Sequence, residues 1–401
     1  MKNRMRSCLF TLLSACFLLS CAACGYAPAA DAAGDYPYWL NENNNFHNIA
    51  ETEAGFYIAV PGRVFFVDRT SMTPVPLCAK PDCPHAPDSE ACGANLTGGV
   101  FGAQLCAMGD SLYAVHLRPR STQYVLSRLS PDGTMRRELL AFDNAVSQFV
   151  LHRGRLYAAT QYYDETGAPV EELLEYDMTR LSAPPKRLYA AKKSDTGGRF
   201  GSLLAYGDSL YFLDCEADNS PLLCAYRLYL PTGEVSRLPG QEDGASTVFL
   251  TVFDGRIVIT RYRPDDTDGL SFPDSPLISY APDGSDRTSP GVFPHSVTAS
   301  DADFFYQRDS ARGNPAIRDK SFRVYGHDYR PVAQLSMENL PGIDGLPSFT
   351  LLYPTASDYV LLYAVSVRDA RHFFYYFRKS EAASGQARIV PLLSFADGEF
   401  S

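Results

Sequence analysis

A short stretch of the chain gathers four side chains that can bind a metal ion. Its spacing is Cys-x4-Cys-x-His-x6-Cys, and the four positions are Cys78, Cys83, His85 and Cys92. Three thiolates and one imidazole are a sufficient donor set for tetrahedral zinc. Prolines between these positions stiffen the segment, so the donors can converge without help from elsewhere. Because four protein ligands leave no open coordination position, a zinc ion here is predicted to be structural.

The other cysteines keep a second interpretation open. Beyond the N-terminal segment the chain has six cysteines, an even number that also suits disulfides in an oxidising exterior. Cys215 and Cys224 flank a predicted hairpin and are predicted to form one disulfide. The four remaining cysteines then form two disulfides, or one metal site beside a free Cys106, or stay reduced. Metal or redox handling by the Cys78–Cys92 loop is therefore one alternative function.

Charge and motifs exclude several other functions. The net charge is −10, and because residues 1–20 carry three basic and no acidic side chains, the rest of the chain is at −13. Nucleic-acid binding needs clustered Lys and Arg, so we expect no nucleic-acid partner. The sequence has no Gly-x-Ser-x-Gly motif and no phosphate-binding loop. We therefore assign no catalytic residues.

The elements that must position these side chains recur along the chain. Gly109-Asp-Ser-Leu-Tyr113 is repeated as Gly207-Asp-Ser-Leu-Tyr211, and looser copies of this turn-then-strand unit occur five more times. The aligned positions are Tyr57, Tyr113, Tyr157, Tyr211, Val258, Phe305 and Leu361. Each period holds four short apolar segments, and the last two are often joined by a turn such as Pro131-Asp-Gly133.

Four strands in a period of about 40–50 residues are typical of propeller blades. A lone four-stranded sheet cannot cover both of its apolar faces, whereas blades around an axis cover each other. The sequence therefore predicts an all-β fold, a seven-bladed β-propeller with four antiparallel strands per blade. Six or eight blades remain alternatives, and so do two stacked β-sandwiches.

Two resemblances accompany this pattern. The repeats resemble the degenerate Asp-Gly-x-Leu-Tyr-Tyr blades of TolB-like and related bacterial surface propellers, whereas the WD dipeptide and the kelch double glycine are missing. The cysteine stretch is similar to a Cys-x-Lys-Pro-x-Cys-x-His element of uncharacterised propeller lipoproteins of Gram-positive bacteria. The resemblance implies a fold and a location but no reaction.

The N-terminus has the features of a secretory signal. A basic start precedes an apolar run, Cys8–Ser20, that is too short to span a bilayer. Leu18-Leu-Ser-Cys21 resembles a bacterial lipobox, which implies cleavage before Cys21 and attachment of a diacylglycerol to its thiol. Cleavage before Cys24 and an uncleaved membrane anchor are the alternatives.

These features divide the chain into a signal peptide at 1–20, a lipidated tether at 21–46 and a propeller domain at 47–401. The tether is low in hydrophobicity except at Tyr36–Leu40, which contains the only tryptophan and is suited to dock on the domain.

We therefore expect an extracytoplasmic protein, held by its lipid at the outer face of the bacterial cell membrane, that acts as a binding scaffold. Its partner would be a protein, a peptide or an envelope ligand, bound where loops join successive blades. The long segments Arg263–Pro276 and Arg308–Lys320 are candidates for such loops. A hydrolase or lyase with its site in the axial funnel is the alternative.

Overall fold

A computed structural model describes most of the predicted propeller domain and a short segment before it. The described residues are 38–40, 48–86, 89, 91–97, 102–108, 111–191, 200–218, 220, 222–241, 244–262, 275–293, 297–308 and 321–400. The predicted signal peptide, the lipidation position Cys21 and most of both long loops lie outside these ranges. Within them, no helix is long and apolar enough to cross a membrane.

The strands form seven antiparallel sheets, each built from consecutive strands, which are the blades of a seven-bladed β-propeller. The first four blades contain β2 (Ile49–Glu51), β3 (Gly55–Val60), β4 (Arg63–Asp68), β5 (Pro74–Pro76); β6 (Gln104–Met108), β7 (Ser111–Leu117), β8 (Tyr124–Leu129), β9 (Arg136–Ala141); β10 (Ala145–His152), β11 (Arg155–Tyr163), β12 (Pro169–Asp177), β13 (Lys186–Ala190); β14 (Gly201–Tyr206), β15 (Ser209–Cys215), β16 (Leu223–Tyr229) and β17 (Glu234–Arg237). The last three contain β18 (Ser246–Phe253), β19 (Arg256–Tyr262), β20 (Ser275–Tyr280), β21 (Thr288–Phe293); β22 (Val297–Asp301), β23 (Phe305–Arg308), β24 (Ser321–Tyr325), β25 (Pro331–Ser336); β26 (Phe349–Pro354), β27 (Tyr359–Ser366), β28 (Arg371–Arg378) and β29 (Val390–Ala396). This confirms the predicted fold class.

The repeated sequence unit marks the turn into the second strand of each blade. All seven aligned positions lie in second strands and are buried. In blade 5 the preceding turn has positive φ at both Asp254 (+50°) and Gly255 (+67°). Such a turn matches the twist of the strands that it joins, and glycine adopts it at little cost.

Tyrosines of the repeat connect neighbouring blades. The Tyr57 hydroxyl of blade 1 donates a hydrogen bond to the Pro131 carbonyl in the β8–β9 turn of blade 2, at 3.0 Å. The Tyr211 hydroxyl of blade 4 does the same to the Pro282 carbonyl in the β20–β21 turn of blade 5. The repeated tyrosine and the repeated proline turn are therefore the two halves of one contact between blades.

The ring closes by packing between the first and last blades. Ile49 and Phe56 of blade 1 share a core cluster with Leu361 of blade 7. The Glu51 carboxylate accepts hydrogen bonds from the Arg69 guanidinium at 2.8 Å and from the Ala356 backbone N–H at 2.5 Å. Apolar burial and this buried carboxylate thus hold blades 1 and 7 together.

A short N-terminal strand, β1 (Tyr38–Leu40), joins the innermost edge of blade 6. It pairs antiparallel with β22, which makes this sheet five-stranded, and it lies beside β18 and β26, the innermost strands of blades 5 and 7. β1 therefore occupies the central channel, so the segment singled out at Tyr36–Leu40 does contain residues that dock on the domain.

The last strand of blade 7 begins and ends later than its apolar pattern indicates. The sequence predicts its last strand at Ala387–Leu393, but β29 spans Val390–Ala396. A five-residue helix, α1 (Lys379–Ala383), precedes it. The pattern missed this helix because five residues are too few to establish a helical period.

Candidate metal centre

The cysteine stretch is part of the connection from the outermost strand of blade 1 to the innermost strand of blade 2. It packs into the core between these two blades, where Leu77, Cys92 and Leu96 are buried. Backbone hydrogen bonds tie its ends to the blades: Leu77 N–H donates to Val64 O at 2.9 Å, and Leu96 N–H donates to Gly62 O at 3.2 Å. Both ends of the segment are thus anchored to blade 1, one at β4 and the other at the turn before it.

The four predicted ligands converge. One donor atom from each of Cys78, Cys83, His85 and Cys92 lies within 4.8 Å of all the others. His85 Nδ1 is 3.5 Å from Cys92 Sγ. Around a tetrahedral zinc with bonds of about 2.0 and 2.3 Å, an N···S edge is about 3.5 Å. The group can therefore hold a metal ion.

Backbone amides face the sulfur atoms. Burial raises the pKa of the Cys78 thiol, but hydrogen bonds from the backbone N–H groups of Lys80 and Gly93, together with the Cys83 and Cys92 side chains, outweigh it, so the pKa lies below its ordinary value. Burial holds the pKa of the Cys92 thiol above its ordinary value, although the Ala94 N–H opposes this. Metals bind thiolates, and hydrogen bonds to the charged form favour it. These amides suit the site to ligation.

Contacts outside the four ligands hold the loop in shape. The buried Arg63 guanidinium donates to the His85 carbonyl, and the Lys80 ammonium donates to the Ala91 carbonyl. The Asn95 side-chain amide donates to the carbonyls of Ala86 at 2.8 Å and Ser89 at 3.2 Å. Such outer contacts fix the orientation of ligands around a metal.

The remaining cysteines lie elsewhere. Cys106 is buried in the core between blades 2 and 3, whereas the four candidate ligands lie between blades 1 and 2. Burial raises the pKa of the Cys106 thiol to about 12. Cys106 is therefore separated from the cluster, and pairing all four cysteines as two disulfides does not fit this arrangement.

The predicted disulfide between Cys215 and Cys224 is not present in the structure. Cys224 lies opposite Asp214 in the β15–β16 ladder, and Cys215 lies opposite Leu223. Adjacent residues of a strand point to opposite faces, so the two thiols lie on opposite faces of the sheet. The hairpin was predicted correctly, but the register separates the sulfur atoms.

A hydrogen-bonded chain in blade 7 was missed by the sequence analysis. The Tyr363 hydroxyl lies 2.5 Å from His372 Nδ1, and His372 Nε2 contacts the Asp397 carboxylate. The His372 ring stacks on Phe395 at 4.7 Å. Burial, and then the charge of Asp397, raise the pKa of Tyr363. A tyrosine held neutral in a core is a packing element rather than a nucleophile, and its partners are found only from the strand register.

A buried ion pair was also missed. Lys379 Nζ lies 2.8 Å from Asp301 Oδ2, and both side chains are almost fully buried. The Tyr306 hydroxyl donates to the same carboxylate at 2.7 Å. Asp301 belongs to blade 6 and Lys379 to α1 beyond β28 of blade 7. No spacing rule links two residues that are brought together by neighbouring sheets.

Comparisons with known proteins agree with the fold and go no further. No family model matches the chain, and no curated protein matches it. An oligogalacturonate lyase from Vibrio parahaemolyticus has a similar structure, with a TM-score of 0.55 and 11% identity over 81% of this chain and 87% of that chain. A complex of KlAtg21 with the coiled coil of AgAtg16 gives a TM-score of 0.50 and 11% identity over 90% and 99%.

A putative TolB from Agrobacterium tumefaciens gives a TM-score of 0.37 and 11% identity over 66% of this chain and 83% of that chain. At these identities the likeness shows the fold alone.

Proposed function

We propose that this protein is an extracytoplasmic, lipid-anchored β-propeller that serves as a rigid binding scaffold for a protein, peptide or envelope ligand. The observation that carries the proposal is that the buried polar groups lie between neighbouring blades and join them. Asp301 with Lys379 joins blades 6 and 7, and the Cys78–Cys92 loop packs between blades 1 and 2. Such contacts stiffen the ring, and a stiff ring presents its blade-joining loops at fixed positions.

Further contacts of the same kind support the scaffold. The Tyr189 hydroxyl of blade 3 donates to the fully buried Asp214 carboxylate of blade 4, at 2.8 Å. The Gln148 side chain of blade 3 bonds the backbone of Phe200 and Leu203 at the start of blade 4, at 2.9 and 2.7 Å. These groups are used to join blades, which favours a binding role over a catalytic one.

The Cys3His cluster would serve this scaffold as a structural zinc site. Its four ligands leave no position for a substrate, and its segment is anchored to blade 1 and packed against blade 2. A bound zinc would therefore fix the junction of these blades, within the connection of more than twenty residues between β5 and β6.

The zinc site is tested by mass spectrometry of the protein under native conditions, after export by a bacterial host. We expect one zinc per chain, lost in Cys83→Ser and kept in Cys106→Ser, which removes a buried thiol outside the cluster. Thiol labels should reach Cys78 and Cys92 only after unfolding. A metal-free mass lacking six hydrogens would instead mean three disulfides and would remove the proposal.

The anchor and the partner need a test in the envelope. A diacylglyceryl mass should be absent from Cys21→Ser and present in Cys24→Ser, whereas the opposite result would show that cleavage occurs before Cys24.

Chemical cross-linking in intact cells should connect a partner to the loops between blades. Cross-links confined to the outermost strands would contradict a site at the channel mouth.

A further inference from the structure

The channel strand β1 is unlike the rest of the propeller. Among the described residues, six sheets have four strands each and only blade 6 carries a fifth, added to its innermost strand. The register is Tyr38 with Asp301, Trp39 with Ser300 and Leu40 with Ala299. The inner edge of β22 therefore accepts an extended chain by backbone pairing, although β1 belongs to no blade of its own.

The strand that receives β1 is held firmly from both sides. The Ser300 hydroxyl lies 2.5 Å from the Thr251 hydroxyl and donates to the Val252 carbonyl at 2.9 Å, both in blade 5. Ala299 is fully buried in the core shared with blade 7. Alternate side chains of β22 thus face the two neighbouring blades, and its backbone edge faces the channel.

The end of this strand is fixed as well. Asp301 Oδ1 accepts the backbone N–H groups of Asp303 and Phe304, both at 2.8 Å, while Oδ2 is paired with Lys379. None of these contacts involves β1. The template edge therefore keeps its shape whether or not β1 is paired with it, and a preformed edge is what strand addition requires.

We propose that the inner edge of β22 is a peptide-binding edge and that Tyr38–Leu40 is the chain's own occupant of it. This inference rests on the proposed scaffold function and names its ligand class: an extended protein segment that carries aromatic and aliphatic residues, as Tyr-Trp-Leu does. Such a segment would add to blade 6 as an antiparallel strand and displace β1. Main-chain hydrogen bonds would supply affinity, and the neighbouring innermost strands would contact its side chains.

A tethered occupant competes strongly with a free one. A segment joined covalently to the domain through a short linker acts at an effective concentration in the millimolar range. Free peptide must therefore bind the intact protein more weakly than it binds a protein that lacks β1. β1 lies within the proposed lipidated tether at 21–46, so its displacement would lengthen the chain between the proposed lipid anchor and the propeller.

The first test is hydrogen–deuterium exchange on the full chain. Amides within Tyr38–Leu40 should exchange at least about tenfold more slowly than those of an unstructured peptide, and Trp39→Pro, which cannot pair in a ladder, should remove the protection. Exchange at the unstructured rate in the wild-type chain would overturn the proposal without any variant.

The second test measures binding in trans. A fluorescein-labelled peptide with the sequence of residues 36–41 is titrated into the full chain lacking Tyr38–Leu40, into the full chain lacking Asp31–Ala33 as a deletion of equal length, and into wild type. We expect the first protein to bind at least about tenfold more tightly than the other two. A peptide with proline in place of its tryptophan should not bind.

Equal affinity in all three proteins, or no binding to any, would overturn the inference. The scaffold proposal has a separate readout, because a partner cross-linked to the blade loops in cells could persist unchanged when Tyr38–Leu40 is deleted. That outcome would retain the scaffold and reject the inner edge of β22 as its site.

Discussion

Removing the ammonium of Lys379 should destabilise the propeller more than any exposed charge could. Asp301 and Lys379 form an ion pair of 2.8 Å whose side chains are 1% and 6% exposed. Lys379 Nζ also donates to the Thr355 carbonyl at 2.6 Å. Lys379→Met keeps most of the aliphatic stem but leaves the Asp301 carboxylate buried without its cation.

The expected size of the effect follows from desolvation. Breaking a buried pair by removing one partner costs about 3–5 kcal/mol, because an uncompensated charge remains inside the protein. An exposed pair contributes only about 0–1 kcal/mol. Arg118 and Glu138, whose side chains are 41% and 42% exposed, provide the matched control through Arg118→Met. The total free energy of unfolding of a native protein is only about 5–15 kcal/mol, so the difference between the two variants is large.

The measurement is equilibrium unfolding in urea, followed by circular dichroism and approached from both folded and unfolded protein. The double variant Asp301→Asn with Lys379→Met removes both charges and should lose less free energy of unfolding than Lys379→Met alone. A loss below about 1 kcal/mol in Lys379→Met, equal to that of the control, would refute the reasoning that this pair is buried and bridges blades 6 and 7.

Two further predictions concern a buried histidine and a close backbone contact. Burial lowers the pKa of His116 to about 4 in the folded protein, whereas the pKa of a histidine in the unfolded chain is about 6.5. The free energy of unfolding is therefore highest above pH 6.5 and falls by up to about 3 kcal/mol as the pH drops to 4. His116→Asn should flatten this part of the stability–pH curve, and an unchanged slope would contradict the assignment. Gly133→Ala would bring a Cβ to 2.8 Å from the Leu77 carbonyl group at the start of the cysteine stretch, whereas Gly154, also at positive φ, has open space around it. Gly133→Ala should therefore lose more urea stability than Gly154→Ala and also weaken zinc binding; equal losses would show that the loop can move aside.

The repeat could be recognised from the sequence because its signals are local. A turn that needs glycine at positive φ, as at Gly255, and an apolar strand directly after it are set by residues within ten positions of each other. The same holds for the cysteine cluster: Cys78 and Cys92 are close in sequence, so a loop stiffened by prolines can bring them together.

Longer-range contacts could not be predicted in this way. The Cys215–Cys224 pair failed because one step of register moves a side chain to the other face of a sheet, and the pattern did not fix that step. Lys379 lies on a five-residue helix with no period of its own, and its partner Asp301 belongs to another blade.

The sequence by itself determined the four-strand repeat and the composition of the candidate metal site, because each depends on neighbours along the chain, and it favoured seven blades over six or eight. The tertiary structure alone decided which polar groups join the blades, which cysteines stay apart, and that Tyr38–Leu40 pairs with β22 in the channel. The physical reason is that these contacts depend on strand register and on packing between sheets, and both are fixed only when the ring has closed.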